Sequence, residues 1–436
     1  MKRVLIISPH FPPVNAADMH RVRQCLPYLE RFGWEAEVVA VDPAFIESYS
    51  TDDLLLRTIP SGIKVHFVKA WDVSKTRKFG LGSLSMRSFF QYRKKGNELL
   101  AQGNFDLIFF STTAFHVMAL GPYWKKKFNI PFVLDIQDPW RNDFYLSKPK
   151  SERPPKFFVA YSIDKYLESK TVPFADAIIS VSHGYCKSFK QWYHHFDISK
   201  CSVIPFGAVS ADFDILESEV PDAGIIEFKK DKINIVYIGR GGHDMQFSLR
   251  LLFKTISQGL QNNREFFENI HCWFIGTSYA AEGRGGKTVE PIALEEGLGN
   301  YVTEITDRIP YFTTLFLLKK ADLLFVPGSS DTSYTASKIF PYILAQKPLL
   351  SCFHKKSSVI GILSQAKTGE VVTFGDELQI TPTLLHEMSE KLQYLILHKE
   401  DQFSFDKDGL KPYTAEIMTE KIVAVFNNAL SAIEKK

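Results

Sequence analysis

The chain has 436 residues, 45% of them hydrophobic and 23% charged, a composition suited to two or three globular domains. Fifty-two basic residues nearly cancel 49 acidic ones, and a net charge of +3 speaks against a nucleic-acid binder driven by bulk charge. The apolar run after Met1-Lys2-Arg3 is too short for a signal peptide, and no segment reaches the ~18 apolar residues of a membrane span, so a soluble or peripheral cytoplasmic protein is expected.

Residues 4–7 are an apolar run that ends in Ser8-Pro9-His10-Phe11-Pro12-Pro13, as a buried parallel strand running into a loop would. A helical pattern over 17–32 stops at Gly33, and a second strand follows at 37–41, which opens a β-loop-α-β unit. A strand at 64–68, a helix at 86–101, a strand at 106–110 and a helix at 115–128 continue the series. The strand 131–136 runs into Gln137-Asp138-Pro139-Trp140; an amphipathic stretch at 156–171 and strands at 177–181 and 202–204 complete the first half.

Residues 208–231 change character. Asp212, Asp214, Glu217, Glu219, Asp222 and Glu227, with Pro221 and Gly224, read as an irregular acidic connection. A second β/α series then has strands at 233–238, 272–275, 301–305, 323–326, from 347 and at 370–373, with helices at 311–319 and 335–345. A long amphipathic helix covers 415–433. The expected division is a Rossmann-like domain over 1–207, a connection over 208–231, a second Rossmann-like domain over 232–412, and a terminal segment, 413–436, returning to the first. Each half would hold ligands at the carboxyl ends of its strands, and two halves facing each other form one cleft.

Several side chains stand where such sites form. Gly239 and Gly241, after the first strand of the second half, permit close backbone approach, and Arg240 between them offers a planar fork for phosphate. Ser333, Thr335, Ser337 and Lys338 lie at the start of the expected 335–345 helix, where backbone N–H groups and the positive dipole end favour an anion. Asp138 follows a strand's carboxyl end and is either a cleft carboxylate or the cap of a helix beginning at Pro139. Residues 281–288 imitate a P-loop, but Thr277 to Ala280 separate them from their strand, so a Gly-rich surface loop is expected. The five cysteines are odd in number and scattered, which reads as free thiols in a reducing compartment. Leu84, Phe89 and Phe90 mixed with Arg87, Arg93, Lys94 and Lys95 read as a core-facing helix or as a contact with a membrane. Lys125-Lys126-Lys127 likewise reads as a solvated face or a membrane contact, and Trp140, Trp192 and Tyr193 are candidates to stack on a ring of a ligand.

Taken in chain order, several blocks resemble glycosyltransferase family 4, a retaining GT-B family. They are Ser8 to Pro13 with Arg21-Val22-Arg23, Phe32 to Glu35, Leu134 to Trp140, Ala175 to Ser182, Val203 to Gly207, Val236 to Arg240, and Lys338 to Pro348. The resemblance implies an α/β GT-B fold, two Rossmann-like domains facing a central cleft. It implies a retaining transferase moving a sugar from a nucleotide diphosphate-sugar to a saccharide or lipid-linked acceptor in surface polysaccharide biosynthesis. No metal, no cofactor beyond the donor and no nucleic acid are expected, and a peripheral membrane contact fits a lipid-linked acceptor. The implied catalytic residues are Asp138, Arg240 and Lys338; the donor contacts Gly239, Gly241, Ser333, Thr335 and Ser337; the acceptor-side residues His10, Asn15 and Arg21.

The sequence also departs from the family. The paired donor-domain Glu positions fall at Ser333 and Pro341, and Pro341 offers no side-chain acceptor for a ribose. A second phosphate-binding Lys position falls at Gln246, which carries no charge. These departures leave a second reading, a catalytically reduced GT-B protein that binds a sugar or a partner. A sugar-nucleotide epimerase on the same fold would need cleft carboxylates and His in acid/base positions, and no convincing set is evident.

Overall fold

The computed structural model describes residues 1–434 apart from 48, 147–148, 151–152, 154–155, 225, 281–282 and 332–336. The chain divides into two compact units, Met1–Phe206 together with the segment from Ala415, and Gly207–Thr414.

The first unit is built on seven parallel strands, β1 (Lys2–Ile7), β2 (Trp34–Val41), β3 (Lys64–Val68), β4 (Leu107–Ser111), β5 (Phe132–Ile136), β6 (Ala177–Ser180) and β7 (Cys201–Val203), in the order β3-β2-β1-β4-β5-β6-β7. Every residue of β4, β5 and β6 is buried, as continuous apolar strands between two helical layers must be. Gly33, with φ 82°, ends the first helical segment in the left-handed region and turns the chain into β2. The C-terminal helix Ala415–Glu434 closes this unit. Its Phe426 ring meets Trp34 at 5.3 Å and Phe109 at 5.0 Å, both edge-on, so the end of the chain completes the core of its beginning. The helix Leu84–Leu100 is core-facing: Arg87 is buried and donates to the carbonyls of Trp71 and Phe45, while Phe90 stays exposed beside Trp71.

At the carboxyl edge of this sheet lies a buried ion pair. Arg21 and Asp135 are both fully buried, with Arg21 Nε 3.2 Å from Asp135 Oδ2. The rest of the guanidinium donates to the carbonyls of Ile204 (2.7 Å) and Pro205 (2.8 Å) and lies over the Phe206 ring at 4.5 Å. The same Asp135 oxygen accepts from Ser111 and Gln137, each at 2.8 Å. One cluster thus ties the first helix to β4, β5 and the exit from β7.

The cysteines overturn one expectation. Cys186 and Cys201 form a disulfide with Cα atoms 6.0 Å apart, while Cys25, Cys272 and Cys352 are free and buried. The helix His183–Trp192 leaves β6 and returns antiparallel beside it, which brings its Cys186 to the first residue of the neighbouring β7. The five cysteines are therefore not all free thiols, and they give no sign of a reducing compartment.

The second unit has six parallel strands, β8 (Ile233–Ile238), β9 (Ile270–Ile275), β10 (Val302–Ile305), β11 (Leu323–Pro327), β12 (Leu349–His354) and β13 (Glu370–Phe374), in the order β10-β9-β8-β11-β12-β13. The stretch 208–231 is less irregular than its composition suggests. It holds a helix, Ala211–Ser218, whose buried Asp212 accepts from Tyr311 Oη at 2.7 Å and which belongs to the second unit. Among the described residues no helix is long and apolar enough to cross a membrane.

Two outcomes follow. Arg21→Met leaves Asp135 charged, buried and uncompensated, so urea denaturation should show a loss of about 3–5 kcal/mol; adding Asp135→Asn removes the lone charge and should recover part of it. Thiol titration of the unfolded chain under non-reducing conditions should count the three free cysteines, Cys25, Cys272 and Cys352, with Cys186 and Cys201 appearing only after reduction.

Candidate active site

Each sheet reverses its strand order once, between β1 and β4 in the first unit and between β8 and β11 in the second. The carboxyl ends of the strands at such a reversal leave a crevice where ligands bind.

In the second unit, β8 runs into Gly239-Arg240-Gly241-Gly242. Gly239 N–H donates to Ile275 O and Gly241 N–H to Thr277 O, both at 2.8 Å, which lays this loop across the end of β9. A Cβ on Gly239 would stand 2.7 Å from Lys338 Nζ, and one on Gly241 would stand 2.5 Å from Thr288 Oγ1, so both glycines serve close approach. Tyr342 explains how Lys338 reaches this place. Its hydroxyl accepts from Ile238 N–H at 2.7 Å and donates to Ile238 O at 3.2 Å, pinning the helix Ile339–Leu344 to the end of β8.

Lys338 is only partly exposed, and among the described residues no carboxylate pairs with it. Burial, then Arg308 and Arg240, lower its pKa to about 7. The sequence reading missed Arg308. It follows β10, its backbone lies beside Gly276 and its guanidinium stands 4.2 Å from the Tyr279 ring centre; no motif marks it, because only the strand order brings the ends of β10 and β8 near each other. Arg240 makes a two-point ion pair with Asp244, at 2.8 and 2.7 Å. Burial works against the Asp244 charge, but Arg240 and Ser329 outweigh it and hold the carboxyl below its usual range. The described helix begins at Ile339, so Lys338 occupies its cap position rather than its first turn. Ser337 lies beside it, half-buried, while Ser333 and Thr335 lie outside the described residues.

The P-loop imitation has a physical explanation. Residues 281–282 lie outside the described ones; its last residue, Thr288, with Val289 and Glu290 after it, does present successive N–H groups to an anion, but that anion is the buried carboxylate of Glu304, at 3.0, 2.9 and 2.8 Å, with Thr277 Oγ1 donating to it at 2.6 Å. A place that resembles a phosphate cradle is filled from within the chain.

In the first unit, the loop after β1 carries His10, nearly buried, whose Nδ1 stands 2.9 Å from Asp18 Oδ1. Asp18 also accepts from Thr112 Oγ1 (2.8 Å) and Thr113 N–H (2.9 Å), which joins the loop to the end of β4 at the reversal. Burial would raise the Asp18 pKa, yet His10 and these donors prevail and hold it at about 2. An ionised Asp18 holds a proton on His10 Nδ1 and orients the ring. Asp18 was not singled out in the sequence, because its spacing from His10 follows no regular period. Asn15 is half-buried and its N–H donates to Ser50 O at 2.9 Å. Arg21 does not belong to a ligand surface: it is fully buried in the ion pair above and cannot touch an acceptor. Asp138 is exposed at the carboxyl end of β5, and no helix begins at Pro139, so the capping alternative falls away. Although its tip reaches solvent, the surrounding protein and then the charge of Asp18 raise its pKa above the usual carboxylate value.

No family model matches the sequence, and a search of curated proteins finds no match. Solved structures do match. HepE of Anabaena, in complex with UDP-glucose, aligns with a TM-score of 0.57 at 15% identity, covering 98% of this chain and 100% of that one. WaaG, a glycosyltransferase involved in lipopolysaccharide biosynthesis, aligns with a TM-score of 0.52 at 13% identity, covering 95% and 99%. A UDP-forming α,α-trehalose-phosphate synthase from Burkholderia xenovorans aligns with a TM-score of 0.57 at 11% identity, covering 98% and 99%. At these identities the likeness establishes the fold: the chain has the two parallel-sheet α/β units of the GT-B glycosyltransferases.

Proposed function

We propose that this protein is a retaining glycosyltransferase that moves a sugar from a nucleoside diphosphate-sugar to a saccharide or lipid-linked acceptor, in the assembly of a surface polysaccharide. The observation that supports it is the group of cations at the strand reversal of the second unit, where Lys338 is held at a pKa of about 7 by burial and by Arg308 and Arg240. Cations gathered without a carboxylate for Lys338 suit a ligand that brings several negative charges. The solved structures with this fold include one that holds UDP-glucose and one that is UDP-forming, which makes UDP the first nucleotide to test.

In this reading the diphosphate lies against Gly239 and Gly241. Arg240 and Lys338, aided by Arg308, stabilise the charge that develops as the glycosidic bond breaks. The departing phosphate oxygen takes the acceptor's proton, so the protein needs no strong base. His10 Nε2 hydrogen-bonds a sugar hydroxyl, and Asp138 orients the reacting sugars. Fixed cations replace a divalent ion, so turnover should survive a chelator. The second reading, a sugar- or partner-binding protein with little turnover, is favoured by the Arg240–Asp244 pair, which already occupies the arginine fork.

Lys338 gives this site a pH signature. Below pH 7 the amine is already charged; above pH 7 a bound diphosphate must recruit a proton to it, so UDP affinity should fall by up to about ten-fold per pH unit between pH 7 and 9. The terminal phosphate of UDP loses its last proton near pH 6, below this window. Calorimetric titration should show the slope in the wild type and none in Lys338→Ala or Lys338→Arg. A wild-type affinity independent of pH would place the diphosphate elsewhere.

Arg240→Ala and Lys338→Ala should each raise the barrier to transfer by roughly 2–4 kcal/mol, and the double variant by less than the sum. Rates of sugar transfer and UDP affinities for all four proteins decide between the readings: UDP binding without measurable transfer in the wild type supports the binding protein, and wild-type rates in both single variants refute the assignment.

A further inference from the structure

We infer that the outer face of the helix Phe157–Thr171 docks this protein on an anionic lipid surface. The helix exposes large apolar side chains that a solvated helix would turn inward: Phe158 is 53% exposed, Val159 62%, Ile163 37% and Tyr166 62%. Their spacing places them on one side of the helix. Phe174, 56% exposed in the turn Val172–Phe174 that follows, extends the strip. Scattered exposed apolar residues need no explanation, but a contiguous strip marks an interaction surface.

The charges are sorted in the same sense. Both acids of the helix face inward. Asp164 accepts from Trp140 Nε1 at 3.3 Å and pairs with His116 Nε2 at 3.1 Å, and Glu168 is fully buried, accepting from Tyr193 Oη at 2.6 Å and Arg141 N–H at 3.0 Å. The lysines Lys156, Lys165 and Lys170 remain exposed. Lys125 donates to Phe174 O, which brings the exposed Lys126 and Lys127 of the neighbouring helix Leu120–Phe128 to the end of the strip. This face therefore presents apolar and aromatic side chains among lysines with no exposed carboxylate of its own helix.

That combination selects the occupant. An isologous contact with a second copy would set this lysine-bearing face against itself and oppose like charges. A layer of anionic headgroups over acyl chains answers both features: the apolar strip sinks about 5–10 Å into the interface, and each lysine meets negative lipid. The surface is separate from the one weighed on the Leu84–Leu100 helix, where Arg87 is buried and Phe90 leans on Trp71. It also stands without the transferase reading, because docking is measured without turnover.

The test is sedimentation of the full chain with vesicles of equal parts phosphatidylglycerol and phosphatidylcholine, against vesicles of phosphatidylcholine alone. The wild type should bind the anionic vesicles and release in high salt. Lys165→Glu with Lys170→Glu should lower partitioning by about twenty-five-fold or more, at roughly five-fold per lysine. Phe158→Ser with Tyr166→Ser should lower it at least ten-fold, and Phe90→Ser should leave it unchanged. All of these side chains are solvent-exposed, so unchanged thermal melting establishes that the variants fold. Equal binding to both vesicles, wild-type binding by either double variant, or a wild-type dimer that Phe158→Ser with Tyr166→Ser dissolves would overturn the proposal.

Discussion

Arg21 and Asp135 meet where neither can reach water, and the carboxyl edge of the first unit gathers donors on Asp135 Oδ2, while Oδ1 has no hydrogen-bond partner among the described residues. A buried pair contributes little net stability, but losing one partner strands a charge, so the groups that complete it become obligatory. The carbonyls of Ile204 and Pro205 take up the remaining donors of the arginine, and Ser111 and Gln137 supply donors to the aspartate. Gln137 also donates to the carbonyl of Asp18 at 3.2 Å, so the residue that orients His10 is positioned from the same cluster. The direction of the first helix, the end of β5 and the exit from β7 follow from one electrostatic requirement.

Buried carboxylates and clustered cations are balanced differently along this chain. Asp18 and Glu304 are buried carboxylates, and each collects converging N–H and O–H donors. Those places are complete without a ligand. At the end of β8 the balance is reversed, because Lys338, Arg308 and Arg240 gather while Asp244 is committed to Arg240. Burial first, and then the neighbouring Arg308 and Arg240, depress the Lys338 amine. A diphosphate would offset the gathered positive charge, which is why the proposed donor site is this end of the second sheet rather than the Gly-rich loop near residue 288.

The same sorting of charge operates at the surface. On the helix Phe157–Thr171 the acids are consumed inside, at Trp140, His116 and Tyr193, and lysines and aromatic rings remain outside. A helix with its acids facing solvent would repel an anionic surface; this one is left with the complementary sign.

Much of the architecture was legible in the sequence. Strands buried between two layers of helices must be apolar at successive positions, so β1, β4, β5 and β8 appeared as continuous runs, and Gly33 marked the end of the first helix because it needs a positive φ. Arg240 and Lys338 were visible as cations beside glycine or a helix start. What the sequence alone could not supply was adjacency. The Cys186–Cys201 bond depends on β7 lying next to β6, the reach of Arg308 to Lys338 on β10 and β8 flanking β9, and the burial of Arg21 on which carbonyls close over it. The helix Ala211–Ser218 hid in an acidic stretch because its stability comes from Tyr311 on another element. Periodicity is a property of neighbours along the chain, so sequence carries it; pairing across strand order is a property of neighbours in space, and only the folded sheets decide it.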